Sequence, residues 1–97
     1  MQLDRIIAEV VSKRVRALRK DVGLTQQKLA ARAGLLRPHI VRLERGVHAP
    51  DVETLRRIAR GLGIDLRSLL LGIDWGRIDA AARRATRQLL DSTRRSA

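Results

Sequence analysis

Three arginines fall within one short stretch, Arg37-Pro38-His39-Ile40-Val41-Arg42-Leu43-Glu44-Arg45. A guanidinium is planar, permanently charged and carries its donors in a fixed fork. It can pair bidentately with the O6 and N7 acceptors of guanine, or with the oxygens of a phosphate. Wound as a helix, the stretch sets Ile40 and Leu43 on one side, at a spacing of three. It leaves Arg37, Pro38, Val41, Arg42 and Arg45 on the accessible side. A buried apolar pair backing a row of cations suits a helix that meets an anionic surface.

The elements around this stretch are helical. Gln26-Gln27-Lys28-Leu29-Ala30-Ala31-Arg32-Ala33 reads as a helix with Leu29, Ala30 and Ala33 inward, and Thr25 as its N-cap. Gly34 supplies the positive φ that a tight turn needs before the next helix, which runs from about Arg37 to Arg45. Pro38 is tolerated in a first helical turn but biases Arg37 toward extended backbone, so the start of that helix stays open. Leu35 faces the core. Two short helices joined this way form a helix-turn-helix over 25–45, whose second helix enters the major groove of DNA.

The flanking segments supply the rest of a core. A long first helix over 4–22 repeats Ile7, Val11, Val15, Leu18 and Val22 near a period of 3.6. A second apolar line, Leu3, Ile6 and Val10, needs a further partner. Gly23 ends this helix. After the Val47-His48-Ala49-Pro50 loop, Asp51 caps a helix over 52–62 with Val52, Leu55, Ile58, Ala59 and Leu62 inward, closed by Gly61 and Gly63. Asp65 caps a short helix over 66–71 carrying Leu66, Leu69 and Leu70. Asp74 caps a last helix over 74–94 with the stripe Trp75, Ile78, Ala82, Ala85 and Leu89.

Composition narrows the function classes. The chain has 97 residues, enough for one modest core, and a formal charge of +11. Such an imbalance on a short chain points to an anionic polymer as partner. With 0 Cys there is neither a disulfide framework nor a thiolate metal site, and His39 and His48 alone do not suggest a metal. No glycine-rich phosphate loop and no His–carboxylate spacing of catalytic type occurs, so neither an enzyme nor a cofactor is expected. No apolar run is long enough to span a bilayer, and Asp4 and Glu9 interrupt any signal-like start. The expectation is a soluble cytoplasmic protein without a membrane partner.

In fixed register, residues 12–71 carry Leu18-Arg19, Gly23-Leu24-Thr25-Gln26, Leu29-Ala30, Ala33-Gly34, Ile40, Leu43-Glu44-Arg45-Gly46, Pro50 and Leu62-Gly63-Ile64-Asp65-Leu66. This set resembles the phage-repressor and Cro-like (XRE-type) helix-turn-helix family. The resemblance implies an all-α fold, a five-helix, λ-repressor-like domain over 1–72; the lengthening of its first helix and an additional C-terminal helix over 73–97 lie outside the shared motif. It makes Arg37, Pro38, Val41 and Arg42 the base-facing positions. It makes Gln26 a phosphate ligand that braces the recognition helix, and Glu44 the ion-pair partner of Arg19. Arg45, His48 and the amides of the 46–48 turn are expected along the phosphate backbone, with Arg14, Arg16 and Lys28 as further candidates. Two positions depart from the family pattern. Leu36 stands where Ser or Thr usually caps the recognition helix, and Pro38 where a polar reader is common.

The tail stripe Trp75, Ile78, Ala82, Ala85 and Leu89 has two readings. It folds back on Leu3, Ile6 and Val10 as an extension of the core, or it packs on its equivalent in a second subunit. The resemblance implies a dimeric transcription regulator, a repressor reading a palindromic operator in double-stranded DNA, with half-sites ~34 Å apart. The alternative is an antitoxin whose tail binds a protein toxin and whose helix-turn-helix autoregulates. A general nucleic-acid binder using charge alone is a third reading.

Overall fold

The computed structural model describes residues 2–96. It is all-α, with six helices among the described residues: α1 (Gln2–Asp21), α2 (Gln26–Ala33), α3 (Arg37–Glu44), α4 (Val52–Leu62), α5 (Leu66–Leu71) and α6 (Trp75–Ser96). Each of the first five gives one fully buried side chain to a common centre: Val15, Leu29, Ile40, Ile58 and Leu69. With no Phe or Tyr in the sequence, this centre is aliphatic. α6 stands outside it and adds a second, thinner layer along α1.

Local chemistry sets most helix boundaries. α1 carries Asp4 in its first turn and Arg19 and Lys20 in its last, which suits the helix dipole at both ends. Thr25 Oγ1 accepts the Lys28 amide at 3.1 Å, and Asp51 and Asp65 accept the amides of Thr54 and Ser68, each at 2.7 Å. Those amide bonds hold both aspartate carboxyls below their ordinary pKa. Asp74 Oδ1 likewise accepts the Arg77 amide at 3.1 Å at the start of α6. Gly34 takes the left-handed conformation (φ 68°) and donates its amide toward Ala30 and Ala31, which stops α2.

α4 lies against α2, and Gly61 is what lets it. A Cβ there would sit 3.1 Å from the Ala33 amide nitrogen and 3.1 Å from Leu29 Cδ1. Gly61 is therefore a packing point inside α4, and Gly63 (φ 78°) alone ends the helix.

Four apolar expectations fail, one of them Trp75, 47% exposed at the start of α6. Val22 is 50% exposed because α1 ends at Asp21 and the chain turns at Gly23. Val52 is 68% exposed at the first turn of α4, before that helix reaches the core. In α6 the buried residue is Ala81, with Ile78 packed against the core edge, whereas Leu89 is 65% exposed. The stripe bends away because α6 runs back along α1 and passes its start: Ala81, Ala85 and Leu89 share a cleft with Gln2 and Leu3.

Candidate nucleic-acid interface

α3 is buried along one side by Ile40 and Leu43. Pro38, Arg42 and Arg45 are exposed opposite them, Arg37 is exposed beside them, and Val41 is half-buried on the flank. Neither Arg37 nor Arg42 makes a hydrogen bond or ion pair among the described residues, so both forks are free to meet a ligand. A groove beside them is lined by Leu36, Pro38, His39, Arg42 and His48.

The start of this helix carries no side-chain cap. Leu36 occupies the N-cap position with extended backbone (φ −85°, ψ 147°), and its side chain is 77% exposed. Arg37 is the first helical residue and Pro38 the second, so the bias that Pro38 places on its predecessor is overridden. Pro38 brings no amide proton to this first turn, and the His39 amide donates to the Leu36 carbonyl at 3.0 Å.

The other end is fixed by charge. Arg19 Nε and Nη2 donate to Glu44 Oε2 and Oε1 at 2.6 and 2.9 Å. Arg19 Nη1 also donates to the Leu24 carbonyl at 2.8 Å, and Gln26 Nε2 donates to Glu44 Oε1 at 3.2 Å. Side-chain exposure is 12% for Arg19 and 4% for Glu44. The hydrogen bonds to Glu44 raise the Arg19 pKa above its ordinary value, against the opposing effect of burial. One carboxylate thereby ties the end of α3 to α1 and to the first turn of α2. The structure brings Gln26 to this pair, where its amide nitrogen is engaged and its side chain is half-buried.

The remaining candidate phosphate ligands divide. Arg45 and His48 are exposed at the end of α3 and in the loop after it. Lys28 is exposed on the first turns of α2, and Arg16 is exposed one turn before Arg19. Arg14 is a correction. Its Nε and Nη2 donate to the carbonyls of Leu69 and Ser68 at 3.0 and 2.9 Å. Its guanidinium lies so close over Gly72 that a Cβ there would be 2.0 Å from Arg14 Cζ. Arg14 closes the carboxyl end of α5 and is not part of an outward cationic face. Gly72, whose missing side chain makes room for the guanidinium, is a faint sign of this in the sequence.

Helix α4 differs from a simply solvated face. Glu53 bonds Arg56 and Arg57, and these contacts hold its pKa down to about 2. Arg57 Nη1 also reaches the Gly34 carbonyl at 3.4 Å, over the turn that joins α2 to α3. In the tail, Trp75 Nε1 donates to the Leu70 carbonyl at 2.8 Å while its ring stays 47% exposed. Arg77 pairs with Glu9 of α1. Ala82 and Ala85 are half-buried. The fold-back reading of the tail is thus the arrangement seen within the chain.

A helix-turn-helix family model matches residues 15–69, more than half of the chain. An HTH-type transcriptional regulator of Methanothermobacter thermautotrophicus is 47% identical over 49 residues, covering 50% of this chain and 71% of that protein. The immunity repressor protein of Bacillus phage phi105 is 37% identical over 60 residues, covering 62% of this chain and 42% of the repressor. The crystal structure of the clp gene regulator ClgR from Corynebacterium glutamicum superposes with a TM-score of 0.67 over 90% of this chain and 93% of that one. Its 23% identity makes this a likeness of fold.

Proposed function

The chain belongs to the helix-turn-helix family, and from that premise we propose that it is a DNA-binding transcription regulator acting as a dimeric repressor. The observation that carries this is the unpartnered row Arg37, Pro38, Val41 and Arg42 on α3, set over buried Ile40 and Leu43. In this reading α3 enters the major groove, where Arg42 and Arg37 take guanine edges and Val41 or Pro38 meets a thymine methyl. Gln26, Arg45, His48, Arg16 and Lys28 hold the phosphates and give affinity, while the base contacts give choice.

A dimer doubles the site across a palindrome, with recognition helices one DNA turn apart. What supports a second subunit is the apolar surface left over: Leu71 and Trp75 at the α5–α6 corner, and Leu89 and Leu90 on distal α6. The exposed leucines on the tail also suit a protein toxin. A complex of the chain with a toxin, in place of a homodimer in sedimentation, would assign the tail to the antitoxin role. Among the described residues no helix is long and apolar enough to cross a membrane. In this reading the protein works in the cytoplasm, where bacterial and archaeal DNA lies.

Selection of binding sites from random duplexes tests the function. A palindromic, guanine-containing consensus is expected. Arg42→Ala then lowers preference for that consensus over scrambled DNA by ~1–3 kcal/mol, about 5- to 150-fold. Equal weakening on both duplexes would remove Arg42 from the base readers.

A further inference from the structure

The length of α1 places its first turn beside the loop that follows the recognition helix. Gln2, Asp4 and Arg5 line one cleft with Gly46, Val47 and His48, of about 610 Å³. His48 also lines the groove that runs along Pro38 and Arg42 of α3. The two clefts thus have His48 in common. Arg5 is exposed and makes no hydrogen bond or ion pair among the described residues.

The placement is set by packed backbone. Gly46 has φ 69°, and a Cβ on it would sit 3.3 Å from Ser12 Oγ and 3.5 Å from the Ala8 carbonyl oxygen. Ala8 and Ser12 are buried on the same helix, and Ser12 Oγ donates to the Glu9 carbonyl at 2.8 Å. The loop is thus pressed along α1 at Ala8 and Ser12, one and two turns on from Arg5.

We propose that Arg5, together with His48, binds a backbone phosphate of the same duplex, beyond the phosphates reached from α2 and α3. This rests on the DNA-binding reading above and extends its footprint to the start of α1. The ligand chemistry is a phosphodiester: the cleft presents a free guanidinium and an imidazole, with Val47 as its one large apolar side chain. Asp4 lies in the same cleft and opposes the anion. That opposition gives the assignment a sign that a merely solvated arginine lacks. Removing Arg5 weakens DNA binding, and neutralising Asp4 strengthens it.

The experiment measures affinity of the full chain for a selected duplex and for a scrambled one between 50 and 200 mM salt, on the order of the range where phosphate contacts dominate the salt response. Arg5→Gln is expected to lose about 3- to 10-fold at the lowest salt on both duplexes alike. Its plot of log affinity against log salt should be shallower by ~0.9, the value of one phosphate contact. Asp4→Asn is expected to bind about 2- to 3-fold tighter, whereas Arg83→Gln on the outer side of α6 matches the parent. Circular dichroism confirms that each variant keeps its helices. An Arg5→Gln slope equal to the parent's overturns the proposal, as does a loss confined to the selected duplex. If the parent itself shows no affinity for DNA, the functional reading falls too; if the parent binds and Arg5→Gln binds equally, this site alone falls.

Discussion

α2 and α3 are each eight residues long, and they begin in different ways. α2 starts on Thr25, whose hydroxyl satisfies a first-turn amide, and stops on a left-handed Gly34. α3 starts on Leu36, whose side chain satisfies nothing and is mostly in solvent. Its opposite end is gripped by Arg19 and Gln26 through Glu44. α2 is delimited by its own sequence, whereas α3 depends on contacts from elsewhere: core packing of Ile40 and Leu43, and polar bonds concentrated at its trailing end. The free end is the one that bears Arg37 and Pro38. In the proposed reading, α3 leaves its leading turn open to DNA and takes its orientation from the trailing one.

The largest expected effect breaks that grip. Arg19→Ala leaves the Glu44 carboxylate, 4% exposed, with only Gln26 as partner. Removing one member of a buried pair costs ~3–5 kcal/mol. Urea unfolding should show a loss of that order, with DNA affinity falling at the same time. Glu44→Gln should cost less, because an amide oxygen still accepts from Arg19. If Arg19→Ala changed stability by less than ~0.5 kcal/mol, α3 would owe its position to packing by Ile40 and Leu43.

The second effect attacks the support of α2. Gly61→Ala improves helix propensity by ~1 kcal/mol. It also drives a methyl to within 3.1 Å of the Ala33 amide, which belongs to a helix backbone and cannot step aside. Overpacking of this kind costs ~1–3 kcal/mol. A net loss of ~1 kcal/mol is expected in thermal or urea unfolding. A net gain would show that α2 and α4 slide apart cheaply, and that α2 is no more firmly held than α3.

Much of this frame was legible in the sequence. The λ-repressor-like class, with five helices and a sixth appended, is the one observed. Helix ends announced by Thr25, Asp51, Asp65 and Asp74 could be read because a cap is a local, residue-specific bond. What could not be read depends on geometry between distant segments. Arg14 looks like any surface arginine until α5 brings its last carbonyls to it across more than fifty residues. Gly61 looks like a helix terminator until α2 lies on it. Leu89 keeps the helical period of the tail stripe, yet it meets only an open cleft beside Gln2 and Leu3 and stays 65% exposed. Periodicity gives the side of a helix that is apolar, but not where its partner ends.

The smallest expected effect sharpens the contrast between the two helix starts. Leu36→Ser gives α3 the cap that α2 already has, at a residue with N-cap backbone angles. A serine in place of a non-capping residue is worth ~1 kcal/mol. Little burial is lost, because Leu36 is 77% exposed. The melting temperature should therefore rise by about 4 °C for a domain of this size. DNA affinity then discriminates between two roles for the leucine. If the leading turn is only left uncapped, affinity for the selected duplex holds or improves as the helix stiffens. If Leu36 packs on a base or sugar at the mouth of the groove, affinity falls while stability rises, and the missing cap is the cost of an apolar contact with DNA. A fall in stability would contradict the capping argument itself, since little buried surface is removed and the serine hydroxyl comes within reach of the His39 amide, which otherwise has only the Leu36 carbonyl at 3.0 Å.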